Sequence, residues 1–132
     1  MEEMNRWTLT EEETERAHDG MSDLVYEAHE NASAHGFHDA HRRIILACDE
    51  DMCGEDAERA VNLEMLAKIA SEVGEAVSAI QHGDDALMHE ELADICIRVF
   101  DMAGWLGIDL GSHIIGKMQK NRQRPFLHGK KC

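Results

Sequence analysis

Apolar residues recur at helical spacing on both sides of one short break, and this pattern restricts the fold of the chain more than any other feature. Before the break, Leu66, Ile69, Ala70, Val73, Val77 and Ile80 repeat every three or four residues. After it, Met88, Leu92, Ile95, Cys96, Val99, Ala103 and Leu106 do the same. The break, Gln81-His82-Gly83-Asp84-Asp85, is short, so helices over about 55–81 and 85–105 are expected to pack antiparallel. Each carries a pair of acidic residues: Glu72-x-x-Glu75, then fifteen residues, then Glu91-x-x-Asp94. Residues three apart on a helix share a face, so each motif aims two carboxylates at one spot.

The apolar stripes are expected to face the core. At about 100° per residue, Glu72 and Glu75 then fall roughly 120° to 180° from the centre of the first stripe. Glu91 and Asp94 fall roughly 100° to 160° from the second, in the same rotational sense. Reversing one helix places equal offsets on the same side of the pair, so the two motifs are expected to converge. Carboxylates from two helices make a hard-oxygen site suited to Mg²⁺ and to phosphate chemistry. The same spacings also arise on solvated helix faces in a chain with 27 acidic residues. Other features have to decide between the two readings.

Along the rest of the chain, residues 1–8 read as a ragged start. Thr10 and Glu13 form a capping-box pattern that opens a helix running to about Ala34. Its apolar positions are Met21, Leu24, Val25, Ala28 and Ala32, and Gly36 is a natural C-cap. A second helix is expected over about 39–50, ending in the acidic loop Asp49-Glu50-Asp51-Met52-Cys53-Gly54. After the two motif helices, Gly107-Ile108-Asp109 supplies a break and an N-cap, and a last helix runs from about Leu110 to Asn121. Pro125 blocks its continuation and leaves an irregular basic tail over about 122–132. The expectation is an all-α helical bundle of about four to five helices, a single domain over 1–132.

Composition agrees. One proline, 5% aromatic residues and many Ala, Leu and Glu favour helices. No run of 18 apolar residues is present to span a membrane, and the start of the chain, acidic from Glu2, lacks a signal peptide's basic and apolar regions. A cytoplasmic protein is expected. Cys48, Cys53, Cys96 and Cys132 include no C-x-x-C pair and are expected as reduced thiols, with Cys96 buried on its stripe. The net charge of −14 argues against a duplex nucleic-acid partner. That charge is concentrated in residues 1–60, with 17 acidic and 5 basic side chains; from His113 onward there are six basic residues and no acidic one.

Several smaller constellations have both a functional and an ordinary reading. Lys117 and Asn121, four apart, and Arg124 beyond them present a cation, an amide and a guanidinium to a phosphate chain; basic residues in a last turn also favour the helix dipole with no ligand at all. His35, His38 and His41 recur at three-residue spacing, and imidazole suits zinc or nickel. The helix break at Gly36 works against their convergence, so solvated or nucleobase-facing histidines are expected. Glu15-x-x-His18 is the chain's one E-x-x-H, whereas a di-iron bundle needs two. Trp7 and Trp105 read as packing residues, and Phe37 as the better stacking platform.

The chain resembles MazG-like nucleoside triphosphate pyrophosphohydrolases of the all-α superfamily. The family signature of E-x-x-E, a spacer and E-x-x-D is met by Glu72-Val-Gly-Glu75 and Glu91-Leu-Ala-Asp94. Leu66-Ala-Lys-Ile-Ala-Ser-Glu-Val-Gly-Glu-Ala leads into the first motif, and Glu90 to Arg98 carries the second. The ending from Lys117 to Lys131 resembles the tail of small single-domain members. His29-Glu-Asn31 and Gly36-Phe-His-Asp39 resemble their first-helix segment, where a tryptophan is common at the position of His38. The resemblance covers about residues 20–131.

It implies hydrolysis of a (d)NTP to (d)NMP and pyrophosphate, with Mg²⁺ (Mn²⁺ as a substitute) held by Glu72, Glu75, Glu91 and Asp94. It also implies phosphate contacts from Lys117, Asn121 and Arg124, nucleobase or sugar contacts from His29, Asn31, Phe37 and His38, and a homodimer or homotetramer. Two alternatives stand beside it. One is another pyrophosphate substrate, such as phosphoribosyl-ATP or a modified nucleotide. The other is an acidic helical binding module without turnover, against which the presence of all four motif carboxylates argues.

Overall fold

A computed structural model describes residues 8–49 and 54–125. Trp7, Cys53, Cys132, the acidic stretch 50–53 and the tail from 126 onward lie outside the described residues. Five helices and no strand are found among those described: α1 (Glu11–Ala34), α2 (Asp39–Asp49), α3 (Gly54–Gln81), α4 (Asp85–Leu106) and α5 (Leu110–Arg122). The all-α expectation holds, with each boundary within a residue or so of its expected place. None of these helices is long and apolar enough to cross a membrane.

Local chemistry explains the boundaries. The Thr10 N–H donates to Glu13 Oε2 at 2.8 Å, and the Glu13 N–H donates to Thr10 Oγ1 at 3.2 Å. This reciprocal box satisfies donors that the first turn of α1 leaves open. Asp84 accepts from the Leu87 N–H at 3.0 Å to open α4, and Asp109 accepts from the Ser112 N–H at 3.1 Å to open α5. Gly36 ends α1 with φ of +78°, and the Phe37 N–H donates to the Ala32 carbonyl at 3.0 Å. A side chain at that φ would be strained, which is why glycine stands there.

The chain divides into two compact units. The larger is Val25–Gly107, holding the later part of α1 with α2, α3 and α4; the smaller is Met1–Leu24 with Ile108–Cys132. Within the larger unit α3 packs chiefly on α4 and to a lesser extent on α2.

The packing face of α3 corrects the sequence expectation. Its buried residues are Ala57, Val61, Met65, Glu72, Ala76 and Ala79, whereas Leu66, Val73, Val77 and Ile80 are 51%, 44%, 50% and 59% exposed. On α4 the buried positions are Glu91 and Ala103, and Leu92 is 50% exposed. Small side chains let two helices approach closely, so the alanine side of α3, together with the first glutamate of each motif, forms the contact. The larger apolar stripe is turned outward. Periodicity identifies a face that favours burial but leaves open which partner buries it. Cys96, expected as a buried thiol on the α4 stripe, is exposed.

Candidate active site

The antiparallel pair of α3 and α4 brings the two motifs together. One carboxylate oxygen from each of Glu72, Glu91 and Asp94 lies within 4.8 Å of the other two. Glu72 and Glu91 are buried and Asp94 is exposed. Glu75 is also exposed and stands outside this trio, though its charge acts on Glu91. Loss of surrounding water, then the negative charges of Glu75 and Glu72, hold the Glu91 carboxyl above the ordinary carboxylate range. Its Oε2 is buried with no hydrogen-bond partner. A buried acceptor left unsatisfied among like charges is costly. A divalent cation would satisfy that oxygen and neutralise its neighbours. The donors are all carboxylate oxygens, which suits a hard ion.

Glu72 already has a cationic partner. The Nε–H of Arg98, on α4, donates to Glu72 Oε1. Both residues line a groove of about 290 Å³ in the larger unit, together with Asn31, Phe37, His38, Lys68, Asp94 and Asp101. The groove therefore joins two of the acidic candidates with three of the four nucleobase or sugar candidates, residues separated by up to 63 positions in the sequence.

Part of the groove wall is a histidine cluster. Asp101 lies seven residues after Asp94, two turns along the same face of α4. Its Oδ1 is 2.8 Å from His38 Nε2 and 3.2 Å from His29 Nδ1, so one carboxylate oxygen accepts from two imidazoles. The His29 and His38 rings stack with centroids 4.8 Å apart. Trp105 meets both His38 and His41 edge-on, at 5.2 and 5.6 Å, a packing role as expected. His41 Nε2 is 3.3 Å from Glu64 Oε2. Gly104 permits this arrangement: a Cβ there would lie 2.5 Å from the Cβ of His29, so only glycine lets α1 come close enough for His29 to reach Asp101.

These positions revise the histidine expectation. His38 and His41 are not solvated, being 1% and 3% exposed, because Asp101, Glu64 and Trp105 enclose them. His38 still lines the groove. His35 stays out of the cluster, exposed, with its Nδ1 2.8 Å from the Asn31 carbonyl. Lys117 and Asn121 are exposed on α5 and, with Arg124 just beyond its end, belong to the smaller unit. In that unit the His18 of Glu15-x-x-His18 has its Nε2 2.9 and 3.0 Å from the two oxygens of Asp109, tying α1 to α5. Hydrogen bonds from Ser112, then from His18, pull the Asp109 carboxyl down to about 2.

Sequence reasoning missed Lys68, Arg98 and Asp101 as groove residues. Spacing was the available signal: Arg98 and Asp101 follow Asp94 by four and seven residues, the helical offsets that share a face.

Residues 61–127, just over half of the chain, match the family model for the MazG nucleotide pyrophosphohydrolase domain. The match spans both acidic motifs, Arg98 and Asp101, and continues through Lys117, Asn121 and Arg124. No curated protein and no solved structure matches the chain. Signature, helical hairpin and converging carboxylates agree with that match, and the chain belongs to the MazG nucleotide pyrophosphohydrolase family.

Proposed function

We propose that this protein is a Mg²⁺-dependent pyrophosphohydrolase. It converts a (deoxy)nucleoside triphosphate and water to the monophosphate and pyrophosphate, as a house-cleaning activity on the cytoplasmic nucleotide pool. One observation carries this reading: a single groove holds Glu72 and Asp94 of the carboxylate cluster together with Asn31, Phe37 and His38. Glu72, Glu75, Glu91 and Asp94 would hold the metal, which when bound supplies Lewis-acid polarisation of the α-phosphate and a more acidic water.

The remaining work falls to the chain itself. Glu72 positions the attacking water or takes its proton. Phe37 offers a stacking face, and His38, fixed in orientation by Asp101, offers an imidazole edge to the nucleoside, with Asn31 and His29 nearby. Lys117, Asn121 and Arg124 hold the β- and γ-phosphates and neutralise the departing pyrophosphate. On this reading the two units work as one domain over 1–132, supported by a family match that runs from α3 through α5.

The assembly is a homodimer or homotetramer. Its support is the outward stripe of Leu66, Ala70, Val73, Val77 and Ile80, whose alternating four- and three-residue steps form a coiled-coil-like seam exposed along α3. The activity is tested by incubating the protein with Mg²⁺ and a panel of nucleoside triphosphates, phosphoribosyl-ATP included, and measuring pyrophosphate and monophosphate. Equimolar release of both from a (d)NTP is expected. No release from any of the panel would leave a binding module.

A further inference from the structure

Arg98 is the cation that the acidic trio already engages. It stands one turn beyond Asp94 and two beyond Glu91 on the same face of α4, and its guanidinium reaches across to Glu72 on α3. The pair is unequal: the Glu72 side chain is 11% exposed and that of Arg98 is 43% exposed. The half-exposed guanidinium keeps the cationic end of the pair screened by solvent, so it contributes less to folding than a fully buried pair would, and stability alone is a weak reason for an arginine here. Its surroundings suggest a better one. Arg98 and Lys68 are the two cationic side chains that line the groove, and Lys68 is already paired with Glu64 at 3.1 Å.

A divalent ion on Glu72, Glu91 and Asp94 would draw on the same Glu72 carboxylate whose Oε1 Arg98 now holds. Metal and guanidinium therefore compete for Glu72. When Glu72 is taken, the backbone of α4 still keeps Arg98 beside the groove. Its fork of five N–H donors then faces whatever anion lies there, and that geometry suits phosphate oxygens better than an ammonium does.

We infer that Arg98 is an exchangeable counter-ion. It neutralises Glu72 in the metal-free protein and is handed over to the substrate's phosphates when the metal site fills. This assigns a phosphate-binding residue to the larger unit, additional to the cations of the smaller one, and it rests on the metal reading above. Loading of the site and grip on the phosphates are thereby coupled: the arginine is released for phosphate only once the carboxylates are occupied.

The test uses two probes on the full chain: Mn²⁺ alone, followed by its electron paramagnetic resonance signal, and inorganic pyrophosphate, titrated calorimetrically at saturating Mg²⁺. Arg98→Gln removes the competitor, so Mn²⁺ should bind roughly two- to fivefold more tightly, the range for losing an exposed ion pair. Pyrophosphate should bind roughly ten- to hundredfold more weakly, the range for losing a charge-assisted contact. Arg98→Lys keeps the charge without the fork and should fall between wild type and Arg98→Gln in both measurements. The opposite signs separate this role from a structural one, which would weaken both. Both arms are required, and unchanged or weaker Mn²⁺ binding, or unchanged pyrophosphate binding, overturns the assignment of Arg98 while leaving the metal site standing. Wild-type protein that binds no Mn²⁺, or binds it equally after Glu91→Gln, overturns the metal reading and this inference together.

Discussion

Glu91 bears the heaviest electrostatic load of any residue in the site. It is buried, it faces Glu72 and Glu75, and one of its oxygens has no partner. Replacing it by glutamine keeps the shape and removes one negative charge. Without metal, Glu91→Gln should hold or raise the melting temperature, because the repulsion is relieved. Mn²⁺ affinity should fall by at least roughly a hundredfold, since even residues behind the ligands cost ten to a hundredfold in such sites. A melt combined with a Mn²⁺ titration checks both, and a lower melting temperature with unchanged affinity would contradict the site.

His18 offers a pH test in the smaller unit. Hydrogen bonds to Asp19, then Asp109, hold its pKa above 6.5, so the folded state binds the proton more tightly than the unfolded chain. The resulting stability is fully present below pH 6.5 and is lost as pH rises through the raised folded value. Asp109 has the opposite sign: its contribution is present above its ordinary value of 3.8 and is lost as pH falls through about 2. Proton NMR of the His18 ring should show the raised midpoint, and His18→Gln should remove that loss of stability above pH 6.5. The convergence of Glu72, Glu91 and Asp94 was legible because the spacing of the two motifs is itself the signal. Asp101 and Arg98 were not, because an acid or base on a helix face acquires meaning only when a second helix brings His38 or Glu72 opposite it.

At the scale of elements, sequence showed where the helices are but not which way α3 faces. Caps are local: Thr10 with Glu13, Asp84 with Leu87 and Asp109 with Ser112 all act within one turn. Rotation is not local. It depends on the alanines Ala76 and Ala79 packing more closely than the bulkier seam can, and on what covers that seam. If a second copy covers it, Val77→Asp should bury a charge at the contact and dissociate the assembly. Sedimentation should then report a monomer with helical content unchanged. A variant that remains the size of wild type would show that the stripe has another purpose.

Taken whole, the molecule has a net charge of −14, and the proposed function requires it to hold a polyanion. The arrangement proposed here keeps most of the negative charge in residues 1–60 and meets the phosphates with the cations after His113 and with Arg98. Lys117→Ala and Arg124→Ala should each raise KM and lower kcat, the latter as far as the contacts strengthen on the leaving pyrophosphate. One lost charge-assisted contact costs on the order of 1.5–3 kcal/mol, or roughly ten- to hundredfold in kcat/KM. Glu11→Gln with Glu12→Gln is the control, since both are exposed on α1 and lie outside the capping box. Equal effects from both sets would mean that only overall charge matters.

In the proposed reaction water attacks the α-phosphorus, promoted by the carboxylates of α3 and α4. Hydrolysis of a nucleoside triphosphate in ¹⁸O-labelled water with Mg²⁺ tests it most directly. The expected result is label in the nucleoside monophosphate, none in pyrophosphate, and loss of the reaction in Glu91→Gln. Label in inorganic phosphate with diphosphate as the other product, or undiminished labelling in the variant, would contradict it.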